Sequence, residues 1–287
     1  MNRDVLSAIA AEAGAFSKGQ RRISKYITDN FDKAAFMTAS KLGETVGVSE
    51  STVVRFAADL GYDGYPAMRK ALQEMIKNRL TSVQRIQVSK ELIDSRDVLS
   101  SVLTSDIEKI KMTLEDTNRD DFNRAVEAII NAQNIYILGL RSSASLANFM
   151  GFYLNLLFPN VRVVNESAAS DVFEQMLRIS KGDVFIAISF PRYSRRTIKA
   201  MSFASSREAE VIGITDTESS LVAQIADIKL YAKSEMVSFL DSLVAPLSLI
   251  NALLFAAGNK AHGDLSMKFE ELENIWTEYE VYEKSKD

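Results

Sequence analysis

The feature that most constrains the fold of this chain is the segment TASKLGETVGVSESTVVRFAADL, residues 38–60. Gly47 divides it and suits the left-handed backbone conformation of a tight turn. Ser49 stands where a helix N-cap is expected, and the apolar residues after it recur at helical spacing. The segment therefore predicts two short helices joined by a turn, with Gly43 small enough for a close approach of the second helix. This layout is typical of a helix-turn-helix motif, whose second helix enters the DNA major groove.

The predicted second helix has one apolar and one polar face. We expect Val53, Phe56, Ala57 and Leu60 to face inward. Thr52 and Arg55 fall on the polar face and are the expected base contacts. The full predicted DNA-binding set comprises Arg22, Lys41, Ser49, Ser51, Thr52 and Arg55. An ordinary helical hairpin is the alternative interpretation. The glycine spacing and the capped polar face favour DNA binding over it.

The charge distribution agrees with this assignment. The chain has 287 residues and a net charge of -4. Residues 1–80 carry 12 Lys+Arg and 9 Asp+Glu, whereas the remainder carries 22 and 29. A mildly basic N-terminal part beside an acidic body is typical of a nucleic-acid-binding module joined to a domain that does not touch DNA. The second helix itself is not basic, so we expect phosphate neutralisation from clusters at residues 18–25 and 69–79.

Composition excludes several classes of site. The chain contains no cysteine and a single histidine, His262. Disulfides and thiolate metal sites are therefore excluded, and histidine-rich metal centres and Ser-His-Asp catalysis are disfavoured. We expect no metal and no cofactor. Asp4 and Glu12 interrupt the N-terminal apolar stretch, which is atypical of a signal peptide, and no run is long enough to span a membrane. The prediction is a cytoplasmic protein with no membrane partner.

The remaining pattern indicates a second domain of another class. Residues 4–31 have a helical pattern, residues 78–97 resemble a polar linker, and residues 97–132 contain two helices. Five short β-rich runs then follow, at 134–140, 161–164, 183–190, 210–215 and 227–231. Predicted helices lie at 143–158, 168–180, 194–206, 219–226 and 241–257. Apolar strands that alternate with helices imply a parallel sheet buried on both faces.

The predicted fold class is thus α+β with two domains. An N-terminal all-α helix-turn-helix domain, residues 1–77, precedes the linker at 78–97. A doubly wound α/β domain with a parallel five-stranded sheet covers 98–260, and a helical tail covers 261–287. A ligand of such a sheet is expected at the carboxyl ends of its strands.

Two loops at predicted strand ends carry anion-binding chemistry. They are GLRSS, residues 139–143, and SFPRYSRRT, residues 189–197. Hydroxyls and backbone N–H groups at a helix N-terminus favour anions, and arginine adds bidentate donors. Helix capping is the alternative role of each serine. The predicted effector-binding residues are Arg141, Ser142, Ser143, Ser189, Arg192, Tyr193, Ser194, Arg195 and Thr197.

Almost the whole chain resembles the RpiR family of bacterial transcription regulators. The resemblance is carried by the run GVSESTVVRFAADLGYDGYPAMRKAL and by the succession GDVFIAIS, EVIGITDTESSLVAQIAD and a long final helix. It implies a DNA-binding domain joined to a sugar isomerase (SIS) domain that senses a metabolite. It also implies double-stranded operator DNA as a partner and a homodimer or homotetramer as the assembly.

This sequence departs from the usual SIS motifs in both loops. Arg141 replaces the second glycine of G-x-G-x-S, and Arg195 replaces the glycine of S-x-S-G-x-T, which also has three inserted residues. The resemblance implies that Ser143, Ser189, Ser194 and Thr197 hold a phosphate. The added arginines make the expected pocket more cationic. We therefore expect a small anionic effector, either a sugar phosphate or a more acidic sugar derivative.

Two other functions compete with a ligand-responsive regulator. A sugar-phosphate isomerase would need a general base, for which Glu166 and His262 are the candidates. A protein-interaction module could use the acidic helix around residues 270–283. An isomerase has no use for the first eighty residues, so the regulator, with no catalytic residue, is the favoured prediction.

Overall fold

The computed structural model of the chain describes residues 5–77, 97–166, 171–234, 240–261 and 265–282. The predicted linker lies outside these residues except for Asp97. The described residues divide into two compact units: one contains the residues up to Thr104 together with residues 240–241, and the other contains the remaining residues. Each unit has its own buried apolar core. The domain boundaries given above remain predictions.

The regular elements in the described part of the N-terminal unit are helices. The helical pattern predicted over residues 4–31 is divided among several helices, and the chain first leaves the helical conformation at residues 13–17. Ser17 begins a new helix with a capping box, in which its Oγ accepts from the Gln20 backbone N–H and Gln20 Oε1 accepts from the Ser17 N–H. The helices are α1 Val5–Glu12, α2 Lys18–Asp29, α3 Phe31–Ala34, α4 Ala39–Val46, α5 Glu50–Asp59 and α6 Gly64–Lys77.

The helix pair α4 and α5 confirms the predicted helix-turn-helix geometry. Gly47 ends α4 in the left-handed conformation, with φ of 69°. Gly43 allows the close approach, because a Cβ atom there would lie 2.8 Å from the Val48 carbonyl oxygen. The inward-facing prediction is also confirmed, because the four residues concerned are all buried: Val53, Phe56 and Ala57 of α5, and Leu60 directly after it.

Tyr65 anchors α6 to the chain before α4. Its side chain is buried, and its hydroxyl donates to the Met37 carbonyl oxygen at 2.9 Å. Burial raises the Tyr65 pKa to about 12, and the nearby Arg69 guanidinium partly opposes this effect. The phenol is therefore a neutral hydrogen-bond donor at physiological pH.

The C-terminal unit alternates strands and helices as predicted. The helix predicted over 168–180 is shorter, since only residues 172–175 are helical in its described part. The elements of the chain from residue 98 onward are α7 Val98–Asp116, α8 Arg119–Asn131, β1 Ile135–Gly139, α9 Ser143–Leu157, β2 Val161–Val164, α10 Val172–Gln175, β3 Val184–Ile188, α11 Arg195–Ser206, β4 Glu210–Thr215, α12 Leu221–Ile225, β5 Ile228–Tyr231, α13 Val244–Lys260 and α14 Leu265–Glu278. None of the helices in the described ranges combines the length and apolarity needed to cross a membrane.

The five strands form one parallel sheet in the order β2-β1-β3-β4-β5, which confirms the doubly wound prediction. Successive strand residues belong to opposite faces. Ile135 and Ile137 of β1 join a core formed with α8, α9 and α13, whereas Tyr136 and Leu138 join a second core formed with α10, α11 and α12. Burial on both faces explains why the central strands β1 and β3 are apolar throughout rather than alternating.

Part of α7 packs through polar side chains. Lys109 is buried, and its Nζ donates to Asp106 Oδ1 at 3.2 Å and to Ser105 Oγ at 2.9 Å. Asp106 Oδ1 also accepts a hydrogen bond from Ser242 Oγ. Thr113 Oγ1 accepts from the backbone N–H of Lys233, two residues beyond β5. This cluster joins α7 to the segments that flank β5 and α13.

Candidate functional site

The first candidate site is the exposed face of α5, here called the α5 face. Ser49 caps the helix, with its Oγ 3.3 Å from the Thr52 backbone nitrogen. The same oxygen lies 2.9 Å from Ser51 Oγ and 2.8 Å from Thr52 Oγ1. Three hydroxyl groups thus cluster at the start of α5, where backbone N–H groups also point outward. This arrangement suits contacts with phosphate oxygens and polar base edges.

Arg55 is the cation of the α5 face. Its Nε donates weakly to the Ser51 carbonyl oxygen at 3.4 Å, and its terminal nitrogens have no hydrogen-bond partner within the described ranges. Lys41, on α4, pairs with Glu44 at 3.0 Å, but both side chains are mostly exposed. Such exposed pairs contribute little and exchange easily, so Lys41 is available to another anion.

Arg22 has a role within the fold that the sequence did not reveal. Its Nη1 donates to the Gly47 carbonyl oxygen at 3.1 Å, so the guanidinium supports the turn between α4 and α5. A Cβ atom on Gly47 would lie 3.0 Å from Arg22 Nη2. If Arg22 contacts a phosphate as predicted, it does so while its guanidinium is also hydrogen-bonded to the turn.

The second candidate site lies at the carboxyl ends of β1 and β3 and is here called the strand-end site. These strands are neighbours, and their pairing ends at Gly139 and Ile188. The two predicted loops therefore begin side by side, at the point where the strand order reverses. That point is where ligands of doubly wound sheets bind. Gly139 cannot carry a side chain, because a Cβ atom would lie 2.3 Å from the Ser143 carbonyl oxygen.

The first loop of the strand-end site contains an arginine in an uncommon conformation. Arg141 has φ of 58°, in the left-handed region that favours glycine. Ser142 stands at the N-cap position of α9 but makes no capping hydrogen bond through its side chain. Ser143 is buried. Helix capping, the alternative role of Ser142, is thus not realised.

The second loop combines a cap with an unsatisfied hydroxyl. Ser194 caps α11 by accepting from the Thr197 backbone N–H at 3.4 Å, so the capping role holds here. Ser189 is buried at the end of β3. Thr197 is fully buried, and its Oγ1 has no hydrogen-bond partner in the described structure. An unpaired buried hydroxyl is destabilising, so a ligand role would explain why it is retained.

A hydrogen bond links the second loop to the end of β4. Tyr193 donates to Asp216 Oδ1 at 2.7 Å, and the Thr215 hydroxyl donates to the same oxygen at 3.3 Å. Sequence reasoning missed Asp216, although an acidic residue directly after a predicted strand was a usable signal. Arg192, in the same loop, has φ of 66°. The hydrogen bond between Tyr193 and Asp216 therefore fixes the loop to the end of β4, although the backbone of Arg192 is strained.

The arginines of the second loop have different roles. Arg196 donates to Glu166 Oε1 at 2.8 Å and Asp171 Oδ2 at 3.1 Å. The hydrogen bond with Glu166, and then the charge of Asp171, raise the Arg196 pKa. Arg141 and Arg195 are exposed and form no ion pair within the described residues. They are the cations left available to an anionic ligand.

Of the two candidate general bases, Glu166 is the one that lies within the described residues. Glu166 is half-exposed and committed to the ion pair with Arg196, and His262 lies outside the described residues. Because Arg196 belongs to the second loop, Glu166 lies near the strand-end site, but its carboxylate is engaged in this ion pair.

A cavity of about 620 Å³ lies at the opposite end of the strands, beside the first residues of β3 and β4. Four carboxylates line it against a single arginine, Arg124. A surplus of negative charge disfavours an anionic effector, so this cavity does not replace the strand-end site. The four acidic residues are Glu127, Asp183, Glu208 and Glu210.

Two family models match the chain. The model described as a helix-turn-helix domain of the rpiR family matches residues 3–79, and the SIS domain model matches residues 128–256. The chain is also similar to the HTH-type transcriptional regulator HexR of Pseudomonas aeruginosa, with 25% identity over 262 residues, 88% of this chain and 88% of the relative. The uncharacterized HTH-type transcriptional regulator TTE0211 of Caldanaerobacter subterraneus is 24% identical over 269 residues, covering 91% of this chain and 93% of the relative.

Solved structures share the same folds. The sugar isomerase domain of the RpiR transcription factor from Sphaerobacter thermophilus has a TM-score of 0.59 and 29% identity, covering 62% of this chain and 99% of that chain. The Vibrio vulnificus NanR protein, complexed with ManNAc-6P, has a TM-score of 0.55 and 21% identity. It covers 96% of this chain and 98% of that chain.

Proposed function

Because the chain belongs to the rpiR family of helix-turn-helix regulators that carry a SIS domain, we propose that it is a transcription regulator that binds double-stranded operator DNA through the α5 face. The observation that carries this proposal is the capped helix α5, whose apolar side is buried while its hydroxyl and arginine side stays exposed. Hydroxyl groups and an arginine on the exposed side of this helix are suited to contacts with phosphates and base edges. Operator binding also fits the predicted cytoplasmic location.

The DNA-binding role is tested by Arg55→Ala. A bidentate arginine–guanine contact supplies roughly 1–3 kcal/mol of base discrimination, so we expect operator affinity to fall about 5- to 150-fold. Affinity for a non-operator duplex should fall much less. Fluorescence anisotropy of both duplexes at one fixed salt concentration measures the difference.

Lys41→Ala is the matched control for Arg55→Ala. A residue that contacts only phosphate weakens operator and non-operator binding alike. Equal losses on both duplexes for Arg55→Ala would reduce Arg55 to the same role and remove it as a base contact.

At the strand-end site we propose a small anionic effector derived from a sugar. Support comes from the buried serines, from the Thr197 hydroxyl, and from the exposed Arg141 and Arg195. Within the described residues, the hydroxyl has no hydrogen-bond partner and the two arginines form no ion pair. The structurally similar NanR protein is complexed with a sugar phosphate, which supports the same ligand class here. Sugar phosphates are the simplest members of the class, and more acidic sugar derivatives also fit the cationic loops.

Isothermal titration calorimetry with sugar phosphates, carboxylated sugars, the corresponding neutral sugars and inorganic phosphate tests the effector class. We expect heat of binding only from phosphorylated or carboxylated sugars. Binding of neutral sugars alone would show that the strand-end site is not an anion site.

The effector would act through its coupling to DNA affinity. Because such coupling is reciprocal, the factor by which the effector changes operator affinity must equal the factor by which operator changes effector affinity. Measuring both factors tests the proposal without assuming repression or activation. A protein that binds both partners with no coupling would not be a ligand-responsive regulator.

We propose a homodimer or homotetramer as the working assembly. Phe152 of α9 and Phe255 of α13 are 59% and 73% exposed, although their helices pack together on one face of the sheet. Large aromatic side chains in this environment are typical of subunit contacts. Helix-turn-helix dimers also match the two-fold symmetry of their operators.

We propose no catalytic activity for the chain. Isomerisation of a phosphosugar needs a placed general base, and Glu166 is instead paired with Arg196. A coupled assay on a panel of phosphosugars should show no turnover above the buffer rate. Turnover abolished by Glu166→Gln would establish the isomerase instead.

A further inference from the structure

One valine on the α5 face has no role in the fold described above. Val54 is 41% exposed, whereas Val53, Phe56 and Ala57 of the same helix are fully buried. Among the described side chains of residues 5–77, Val54 is the one large hydrophobic side chain that is exposed. The exposed positions of α5 are Glu50, Ser51, Val54, Arg55, Ala58 and Asp59.

Helix stability does not explain a valine at this position. Valine is β-branched and loses rotamer freedom in a helix, so alanine would stabilise an exposed helical site better. Valine also exposes apolar surface to water, which has no compensating benefit in the free protein. The residue therefore suggests a bound state in which its methyl groups leave water.

The surroundings of Val54 indicate what covers it. Glu50 and Ser51 precede it by one helical turn, Arg55 follows it, and Ala58 lies one turn beyond, and all are exposed positions of α5. A single large apolar side chain among hydroxyl, carboxylate and cationic groups is too small an apolar surface for a protein interface, which takes about 20–30 residues a side. It does match the major-groove edge of an A·T base pair, where the thymine 5-methyl group is the apolar feature.

We propose that Val54 is a specificity-determining residue that contacts the 5-methyl group of a thymine in the major groove. This inference rests on the proposed operator binding and deepens it. Arg55 is adjacent in sequence and presents its free terminal nitrogens on the same exposed side, and arginine commonly pairs with guanine O6 and N7. Each half-site should therefore contain an A·T pair next to the G·C pair that Arg55 contacts.

The first step of the test is selection of bound duplexes from a random library with the full-length protein. We expect enrichment of a half-site in which a thymine neighbours the guanine. Each thymine of the selected duplex is then replaced singly by deoxyuridine, which removes only the methyl group. We expect one thymine per half-site to be sensitive, with an affinity loss of roughly fourfold, the change for burying one methyl group.

The second step assigns the methyl contact to Val54. Val54→Ala should weaken binding to the thymine duplex by a similar factor and should no longer distinguish thymine from deoxyuridine at the sensitive position. Val54→Thr is the matched control, because it keeps the β-branched shape and one methyl group. It should retain most of the discrimination. Circular dichroism checks that both variants keep the native helix content.

The outcomes separate this inference from the function on which it rests. Two outcomes would overturn the Val54 contact and leave operator binding standing. In the first, the protein enriches a sequence, but no replacement of thymine by deoxyuridine lowers its affinity. In the second, the replacement lowers the affinity of Val54→Ala as much as that of the native protein. Failure of the protein to enrich any duplex overturns both. Unchanged DNA binding by Val54→Ala together with loss of transcriptional control in a reporter would place a protein partner at Val54 and also overturn the contact.

Discussion

Single residues carry the most direct tests, and Thr197 is one of them. Its hydroxyl oxygen is buried and has no hydrogen-bond partner among the residues that the structure describes, so we expect it to destabilise the free protein. We expect Thr197→Val, which removes only that polar group, to leave the melting temperature unchanged or slightly raised. Affinity for the anionic effector should nevertheless fall at least about tenfold, corresponding to roughly 1.4 kcal/mol.

Thr197→Ser is the control, since it keeps the hydroxyl and loses a methyl group. It should destabilise the protein while retaining effector affinity. Calorimetry and thermal unfolding of both variants check these opposite effects. A Thr197→Val protein that binds the effector normally would exclude this hydroxyl from the site.

The two glycines of the helix-turn-helix should respond differently to alanine. Gly47→Ala places a side chain in the left-handed region, which destabilises by about 1–2 kcal/mol. Gly43→Ala meets the backbone oxygen of Val48, which cannot move alone, so we expect a loss of at least roughly 2 kcal/mol and weaker DNA binding. Urea unfolding measures both. Gly14→Ala, with no atom within 4 Å of the added Cβ, is the neutral control.

Some of these residues were predictable from sequence and others were not. Gly47 and Ser49 were predictable because turn and cap chemistry depends on neighbours within four residues. The pair Tyr193–Asp216 was not, because its partners are 23 positions apart and meet only when β3 and β4 are side by side. The ion pair between Arg196 and Glu166 was not predictable either, because these residues are 30 positions apart in the sequence.

At the scale of elements, α7 shows where periodicity misleads. Its apolar residues identified it as a helix, and the helix is present. However, Ile107 and Leu114 are 53% and 59% exposed, whereas Lys109 and Thr113 are buried. Apolar spacing predicted that the helix exists but not which face packs. Polar partners contributed by distant segments, such as Ser242, decide the packing face of this helix.

The buried lysine of α7 should be important for stability. Lys109→Ala would leave Asp106 without its cation in a largely buried position, where the side chain is 16% exposed. Breaking a buried ion pair in this way typically costs about 3–5 kcal/mol. We expect a loss of that size in chemical unfolding. Lys111→Ala, an exposed change on the same helix, should stay within about 0.5 kcal/mol of the native protein.

At the scale of the whole molecule, we expect subunits to associate through the surface that contains Phe152 and Phe255. We predict that Phe255→Glu, or Phe152→Glu, lowers the molar mass measured by light scattering, because a charge replaces an aromatic contact. Operator affinity should fall with it, since one helix-turn-helix reads only a half-site. Leu177→Glu is a control for an exposed apolar change at another surface, with a side chain 67% exposed. An unchanged mass for both phenylalanine variants would place the subunit contact on another surface.

The overall architecture was more predictable than its sites. Five apolar runs separated by helices allow few topologies once crossovers are right-handed, so the parallel sheet followed from pattern alone. Its neighbour relations were not visible in the sequence. The side-by-side start of the loops after Gly139 and Ile188 depends on β1 and β3 being adjacent, which the chain order β1, β2, β3 does not reveal.

The central position of β1 and β3 also has a dynamic consequence. Both strands are paired on two sides and covered by a core on each face. Their amide protons should therefore exchange with deuterium only through global opening of the domain, whereas those of the edge strands β2 and β5 exchange through local fraying. The strand-end loops thus begin at the part of the sheet whose amide protons exchange most slowly. Because an effector that binds only the folded protein raises the free energy of global opening, it should slow exchange in those loops and also in the strands β1 and β3 beneath them.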